Sequence, residues 1–357
     1  MKKLCHTYIL MAALLIIAGC AQETDYPFLE PEPVTRYPIC WSVAPEGTTR
    51  ALTNINRLQE TCTPVAGGSN ESIGVWGEYT ADSDGQNLLV KEFTATPLTY
   101  IPGTFNSWEY PGEPRYWELR ATYDFRACYP QKLMTSLMTQ MDATMFQGGP
   151  VNTMILQEDI MVAATQVDTR VSTFSETVHL SMQHIFAAIQ FKVRAAEGFT
   201  PAMNEAVTSC WLQNSNNETN LFSPSGYLVH SGNVSPEIVW HTYESSSAPM
   251  YVWQHDGVSF INENILYSPN GGLEGEKYTG NDGWLLVVPQ VVKEGTLNFC
   301  YTLKNAGEQI FSVKIPPITY EYGKKYTYTL EIRGSEAELN LTIAPWNYIE
   351  SSYDITI

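Results

Sequence analysis

The chain has 357 residues, a formal net charge of −18 at pH 7 and a hydrophobic fraction of 44%. This acidic balance argues against a nucleic-acid-binding protein, because phosphate backbones are bound by clustered lysine and arginine. The length leaves room for two ordinary domains after a leader segment is set aside, and the 21 tyrosines favour strands over helices.

Residues 1–19 are predicted to be a secretory signal segment. Two lysines near the start are followed by an apolar run over residues 9–17, which is shorter than the about 20 residues that a membrane-spanning helix needs. The run ends in Ile17-Ala18-Gly19-Cys20, which resembles the bacterial lipobox. We therefore predict lipidation of Cys20, with acyl chains as the membrane contact. The alternative is an ordinary secretory signal with a chance cysteine.

Residues 20–36 are acidic and rich in proline. Glu23 and Asp25 resemble the surface-export signal that follows the acylated cysteine in Bacteroidetes lipoproteins. Prolines in this stretch favour an extended tether, which a membrane-anchored domain needs to clear the lipid surface. The expected location is therefore the bacterial outer membrane, with the protein lipid-anchored and exposed at the cell surface.

The sequence predicts no catalytic, metal or cofactor site. The six histidines form no close ligand pair, and His184 lies on an apolar strand face, where a hydrogen-bonded core histidine is expected rather than a ligand. Five widely spaced cysteines remain besides Cys5 and Cys20, which fits neither a zinc motif nor a disulfide framework. Cys128 and Cys300 are expected to be buried thiols. Paired carboxylates for glycoside cleavage stay open, since they meet only in the fold.

Residues 37–170 are predicted to form an N-terminal β-sandwich domain. The alternation of Ile39, Trp41 and Val43 indicates a strand directly after the tether. Methionines recur at helical spacing over residues 131–146, which predicts a short amphipathic helix packed on the sheet. Further strands are predicted over residues 72–79, 88–93, 116–119 and 123–129.

Residues 171–357 are predicted to form a C-terminal β-sandwich domain, because short segments with period-two alternation are separated by turn residues. Residues 178–193 are expected to be one long strand with a bulge near residues 187–188, where the apolar face changes, and the domain boundary is placed just before it. Clear alternation also covers residues 297–303, 311–315, 325–333 and 339–343.

Short aromatic and apolar segments occur along both halves: Ser72-Ile73-Gly74-Val75-Trp76, Arg115-Tyr116-Trp117, Tyr123-Asp124-Phe125-Arg126-Ala127-Cys128-Tyr129-Pro130, Asp159-Ile160-Met161-Val162-Ala163, Trp284-Leu285-Leu286-Val287-Val288-Pro289-Gln290 and Ala344-Pro345-Trp346. None is specific alone, but their order resembles the Mfa-like fimbrillin family of Bacteroidetes pilus subunits. Arg126 and Cys128 depart from the more usual aromatic or small residues.

The resemblance implies an all-β fold with two transthyretin-like antiparallel β-sandwich domains in tandem. It also implies pilus assembly by strand exchange, in which a surface protease cuts after an arginine near the mature N-terminus and a strand from the next subunit fills the vacated groove. Arg50, which follows Gly47-Thr48-Thr49, is the cleavage candidate and Arg36 is the runner-up. A solvated loop side chain is the alternative for either arginine.

Residues 347–357 are the donor-strand candidate. Ile349, Tyr353, Ile355 and Ile357 share one face and polar residues share the other, so the pattern predicts a strand that continues to the last residue. Pairing within its own domain is the alternative.

Two function classes follow from the sequence. The first is a structural fimbrial subunit, stalk or anchor, whose partners are other pilus subunits. The alternative is a surface glycan-binding lipoprotein or adhesive tip that uses exposed aromatic platforms. Two clusters are candidates for such platforms, although aromatics in β-rich chains mostly pack in cores: Trp108, Tyr110, Tyr116 and Trp117, and Trp240, Tyr243, Tyr251 and Trp253.

Overall fold

Most of the described chain lies in β-strands, so the predicted all-β class is confirmed. The computed structural model describes residues 36–45, 58–59, 61–64, 71–83, 86–103, 107–153, 156, 158–170, 177–201, 206–213, 223, 225–233, 236–243, 250–259, 264–265, 284–293, 298–304, 310–334 and 336–346.

The elements of the first half, in chain order, are β1 (Cys40–Pro45), β2 (Ile73–Ser83), β3 (Gln86–Ile101), β4 (Ser107–Glu109), β5 (Ala121–Tyr129), α1 (Gln131–Leu137), β6 (Met138–Met141), β7 (Met145–Gly148), β8 (Val151–Asn152), β9 (Met161–Asp168) and β10 (Thr177–His184). Those of the second half are β11 (Ala187–Ala195), β12 (Ala206–Gln213), β13 (Ser225–Ser231), β14 (Glu237–Thr242), β15 (Met250–Ser259), β16 (Asn264–Ile265), β17 (Leu285–Val287), β18 (Gln290–Val292), β19 (Asn298–Leu303), β20 (Ile310–Lys314), β21 (Ile318–Tyr320), β22 (Lys324–Arg333) and β23 (Glu336–Pro345).

The first half is organised around a closed barrel with the strand order β1, β10, β9, β5, β2, β3, β4. Every second residue along its strands points inward, as the period-two pattern predicts, and these side chains fill the interior. On β5, for example, Tyr123, Phe125 and Ala127 are completely buried. A closed path leaves no exposed sheet edge, so the barrel is complete only while every one of its strands is in place.

The helix predicted over residues 131–146 is wrong beyond Leu137. Residues 138–141 and 145–148 form β6 and β7, an antiparallel pair. The turn between them is built on Asp142, whose Oδ1 accepts hydrogen bonds from the backbone N–H groups of Thr144, at 2.9 Å, and Met145, at 2.8 Å. Aspartate stabilises turns in this way in competition with a helix. The methionine spacing therefore indicated a helix where the turn residue favours a hairpin.

The single strand predicted over residues 178–193 is also wrong, because it is two strands in different sheets. β10 pairs with β1 and β9, whereas β11 pairs in parallel with β22. The chain changes sheets at Ile185 and Phe186, both fully buried, so the apolar face changes there without a bulge. The boundary predicted at residues 170/171 falls one strand before this change of sheet.

The second half contains two facing sheets, with the orders β16-β11-β22-β23 and β15-β12-β19-β20. A core of buried side chains lies between them, including the stacked rings of Phe191 and Phe299, whose centroids are 4.5 Å apart. Each of the four alternating segments predicted in this half overlaps a strand, from β19 and β20 to β22 and β23. Sheet-on-sheet packing of this kind is a sandwich.

A further sheet joins the two halves of the chain. In it β13 pairs with β7 and β8 from the first half and with β14 from the second. A separate core cluster lies beside this shared sheet and contains Trp76 and Phe146 from one half and Leu228 and Trp346 from the other. The two halves are therefore joined by backbone hydrogen bonds as well as by apolar packing.

Within the described ranges, no helix has the length and apolar character required to cross a membrane.

Candidate assembly strand and adjoining cleft

The first strand of the barrel, β1, holds two other strands together. It runs parallel to β10 through six consecutive Cα pairs that begin with Cys40 opposite Thr177. On its other side Trp41 lies antiparallel to Trp108 of β4. β1 therefore closes the barrel, and its removal would leave unpaired backbone groups on β10.

The inward face of β1 matches the predicted alternation. Ile39, Trp41 and Val43 are 3%, 6% and 7% exposed, while Cys40 points outward. The Trp41 ring makes edge contacts with Phe93 and Phe125, with centroid distances of 5.1 and 5.3 Å. Burial of a large apolar side chain contributes about 1.5–3 kcal/mol, so these three side chains are a substantial part of what retains the strand.

The segment before β1 is held against the chain that precedes β5. The backbone N–H of Ile39 donates to the carbonyl of Arg115 at 2.8 Å, and that of Trp117 donates to the carbonyl of Tyr37 at 2.9 Å. Between these two bonds Tyr116 makes an isolated bridge to Pro38, in place of the strand predicted over residues 116–119. Arg36, at the start of this paired segment, lines an open surface cleft together with Glu92 and residues 111–119.

Arg36, the runner-up cleavage candidate, lies at this cleft. Its side chain is exposed, and the guanidinium carbon is 5.8 Å from the centre of the Tyr116 ring. A cut after Arg36 would leave β1 joined to the rest of the barrel, because β1 begins at Cys40. Arg50 lies outside the described residues, as does Cys20, the predicted site of lipidation.

The donor candidates Ile349, Tyr353, Ile355 and Ile357 also lie outside the described residues. The last described residue, Trp346, is firmly packed: its ring stacks on that of His184 at 4.3 Å, with 13° between the planes. His184 is 5% exposed and its Nδ1 lies 3.0 Å from Asp159 Oδ1. The prediction that His184 is a hydrogen-bonded core histidine is confirmed, and this stack fixes the point where residues 347–357 begin.

The first aromatic cluster proposed from the sequence does not form a platform. Trp108 and Trp117 are buried in the barrel core, and Tyr110 packs edge-on against Phe93 with a centroid distance of 5.4 Å. Tyr116 remains 40% exposed at the cleft. In the second cluster Tyr243 is exposed and Trp240 is half-buried, whereas the side chains of Tyr251 and Trp253 lie outside what the structure describes.

A buried arginine is the polar group that sequence patterns missed. Arg126 on β5 is completely buried and donates to neutral acceptors. Its Nη1 lies 2.8 Å from His230 Nδ1 and donates to the His230 carbonyl at 3.0 Å. Its Nη2 donates to the carbonyls of Thr144 and Gly232 and to Asn233 Oδ1, at 2.7, 3.0 and 2.7 Å. The acceptors come from the β6–β7 turn and from the end of β13, so this cluster joins the two halves.

Burial sets the protonation of this cluster. Burial lowers the pKa of Arg126 to about 10, so the guanidinium stays charged at neutral pH. Burial, and then the positive charge of Arg126, lower the pKa of His230 to about 3. Since Arg126 Nη1 donates to Nδ1, His230 is neutral and carries its proton on Nε2. Nε2 has no hydrogen-bond partner among the described atoms.

The described cysteines are free thiols rather than disulfides. Cys62, Cys128, Cys210 and Cys300 are buried, which confirms the expectation for Cys128 and Cys300, and burial raises the pKa of the Cys62 thiol to about 12. Cys40 on β1 is exposed. In the part of the chain that the structure describes, no group of three or more histidine, cysteine or acidic side chains is arranged to hold a metal ion.

The sequence model of the fimbrillin-like family matches residues 49–346 of the chain. Among solved structures, a fimbrial protein from Bacteroides vulgatus has a TM-score of 0.51 at 14% identity, over 87% of this chain and 100% of that one. A candidate cell adhesion protein from Bacteroides uniformis has a TM-score of 0.49 at 15% identity, over 88% and 100%. The C-terminally truncated tip fimbrial protein Mfa3 from Porphyromonas gingivalis has a TM-score of 0.33 at 14% identity, over 78% of this chain and 95% of that one. The Bacteroides vulgatus likeness shows a shared fold. No curated protein matches the chain.

Proposed function

Because the chain belongs to the fimbrillin-like family, we propose that it is a structural subunit of a cell-surface fimbria, in a stalk or anchor position. It is exported as a lipoprotein acylated at Cys20, held at the outer membrane by its acyl chains, and joined to other subunits by protease-triggered strand exchange. Its role is structural rather than enzymatic. The placement of β1 carries this proposal.

β1 completes the barrel but precedes the cleavage candidate Arg50, while β2 begins only at Ile73. A cut after Arg50 therefore breaks the covalent link between β1 and the strands around it. β1 is then held by hydrogen bonds and by three apolar side chains, which a competing strand is able to replace. A cut after Arg36 does not have this effect, so Arg50 is the preferred site.

The candidate donor has a pattern that fits the vacated groove. Tyr353, Ile355 and Ile357 are spaced two residues apart, as are the inward-facing Ile39, Trp41 and Val43 of β1. Ile349 continues the same face further upstream. An incoming strand with this spacing supplies three apolar side chains to the barrel core and pairs its backbone with β10, which is β-augmentation.

The test uses purified residues 21–357 labelled at the exposed Cys40 with a maleimide dye. Every chain in this test also carries Arg57→Gln, because Arg57 is the other arginine between β1 and β2. An arginine-specific protease is added to this otherwise unmodified chain, to Arg50→Gln and, as the matched control, to Arg36→Gln. We expect an SDS-resistant ladder and a small labelled fragment from the unmodified chain and from Arg36→Gln, and neither from Arg50→Gln. Deletion of residues 347–357 should abolish the ladder while the labelled fragment still forms.

A chain that stays monomeric in every case, although the cut after Arg50 is complete, would overturn the strand-exchange proposal. A ladder that survives deletion of residues 347–357 would refute the donor assignment alone. The alternative role, a glycan-binding lipoprotein or an adhesive tip, retains support from one observation, the exposed Tyr116 at the cleft beside β1.

A further inference from the structure

The cleft beside β1 has the size and rigidity of a ligand site. Its volume is about 740 Å³, within the about 300–1,000 Å³ that ligand pockets occupy. It is lined by Arg36, by Glu92 of β3 and by residues 111–119.

The walls of the cleft are fixed by hydrogen bonds. The hydroxyl of Tyr110 accepts from the backbone N–H of Arg115 at 2.7 Å, and the hydroxyl of Tyr123 accepts from that of Glu118 at 2.6 Å. The Arg115 side chain donates to the Glu92 carbonyl and lies over the Phe93 ring, 4.2 Å from its centre. A site that is largely formed before binding costs little ordering entropy when a ligand enters.

The exposed groups in the cleft combine one aromatic face with charges of both signs. Tyr116 and Leu119 are 40% and 47% exposed. The charged residues that line the cleft are Arg36, Arg115, Glu92, Glu113 and Glu118. Arg115 and Glu92 are half-buried and face each other, with Nε and Oε1 4.0 Å apart. The excess of carboxylates disfavours a polyanion such as a nucleic acid, and the polar lining disfavours an apolar ligand.

A peptide strand does not fit this cleft either. On the side that faces residues 37–39, the backbone of residues 115–117 is already paired, so a peptide strand cannot add there by β-augmentation. The acidic tether of the chain itself would add further negative charge to the three carboxylates. A ligand that presents an apolar C–H face and neutral hydroxyl groups satisfies all of these constraints, because hydroxyls donate to carboxylates and accept from guanidinium groups.

We propose that this cleft binds a neutral oligosaccharide. The ring of Tyr116 packs against a sugar face, the carboxylates of Glu113 and Glu118 accept hydrogen bonds from sugar hydroxyls, and Arg36 donates to a hydroxyl or ring oxygen. This inference does not depend on strand exchange, since the cleft belongs to the intact chain with β1 in place.

The test uses uncut residues 21–357 and neutral hexasaccharides built from glucose, mannose, galactose, xylose or N-acetylglucosamine, with hexagalacturonate as the anionic comparison. Binding is measured by titration calorimetry. Tyr116→Ala removes the proposed stacking surface. Tyr322→Ala is the matched control, because that tyrosine is similarly exposed, at 37%, but it lies between β21 and β22 and belongs neither to the cleft lining nor to either aromatic cluster.

At least one neutral hexasaccharide should bind, Tyr116→Ala should weaken that binding by about ten-fold or more, and Tyr322→Ala should leave it unchanged. Glu113→Gln, which keeps the volume but removes the charge, should also weaken it. Near-ultraviolet circular dichroism of each variant verifies the fold. The proposal fails if no neutral sugar binds, if hexagalacturonate binds more tightly than every neutral sugar, or if Tyr116→Ala and Tyr322→Ala behave alike.

Discussion

Acidification should destabilise the protein through His230, which is neutral and buried beside Arg126. The folded-state pKa of His230 is about 3, whereas an unfolded histidine has a pKa of about 6.5. Between these two values the unfolded chain binds a proton that the folded chain does not. The contribution of neutral His230 to the free energy of unfolding is therefore complete above pH 6.5 and is lost as the pH falls from 6.5 towards 3.

The size of the effect follows from this window. At pH 4.5 the unfolded histidine is almost fully protonated while the folded one is still neutral, two pH units below the unfolded pKa. At about 1.36 kcal/mol per unit, His230 should then contribute about 2.7 kcal/mol less to the free energy of unfolding than at pH 7.5. Burial is the larger cause of the lowered pKa of His230, and the charge of Arg126 adds to it, because protonating Nδ1 within the fold would remove the acceptor of Arg126 and place two cations 2.8 Å apart.

The assay compares the unmodified chain with His230→Gln in urea unfolding at pH 7.5, 6.5, 5.5 and 4.5 at constant ionic strength. Glutamine does not titrate, and its side-chain oxygen accepts from Arg126. Other titrating groups, including Asp142 and Asp124, whose charges act on Arg126, affect both proteins alike. The free energy of unfolding of the unmodified chain minus that of His230→Gln should therefore fall by about 2.7 kcal/mol between pH 7.5 and pH 4.5. Parallel pH curves would refute the assignment of a neutral buried His230.

Three further outcomes are expected. Arg126→Met should lower the free energy of unfolding by about 1–3 kcal/mol or more, because several neutral acceptors then stay buried without a donor; an unchanged free energy in urea unfolding would contradict this. Trp41→Ala should cost about 3–5 kcal/mol in the same assay, whereas Cys40→Ser, on the exposed face of the same strand, should change stability by less than about 0.5 kcal/mol. Gly77→Ala should lower the thermal midpoint clearly, since its Cβ would lie 2.7 Å from a buried phenylalanine ring, whereas the control Gly103→Ala meets no atom within 4 Å; equal effects would contradict the packing.

The local part of the fold was readable from the sequence, because period-two alternation depends only on which strand face is buried. The sequence also placed a short strand before residue 50, and Ile39, Trp41 and Val43 are indeed its buried face. Alternation does not show which other strand a given strand pairs with. β1 pairs with β10, more than a hundred residues away along the chain, and such long-range pairing leaves no trace in local periodicity.

The buried arginine illustrates the same limit. Arg126 stands out in the sequence as a charged residue inside a strand, and Cys128 on the same face indicates that this face is also covered. The covering groups lie 104 residues further along the chain at His230. The sequence marks Arg126 only as a departure from the more usual aromatic or small residue, and the fold alone shows that a set of neutral acceptors surrounds its guanidinium.

Residues 36–45 belong to both proposals, and this links them. The same short stretch supplies Arg36 of the cleft at its start and the barrel-closing strand at its end. If a cut after Arg50 lets β1 leave, residues 36–39 leave with it, so the cleft loses the Arg36 guanidinium and residues 115–117 lose their backbone pairing. A ligand that binds only the complete cleft necessarily stabilises the form that retains β1. Under the two proposals, sugar binding and strand exchange exclude each other. The intact subunit binds the ligand, whereas in an assembled subunit a neighbour's strand has replaced this segment.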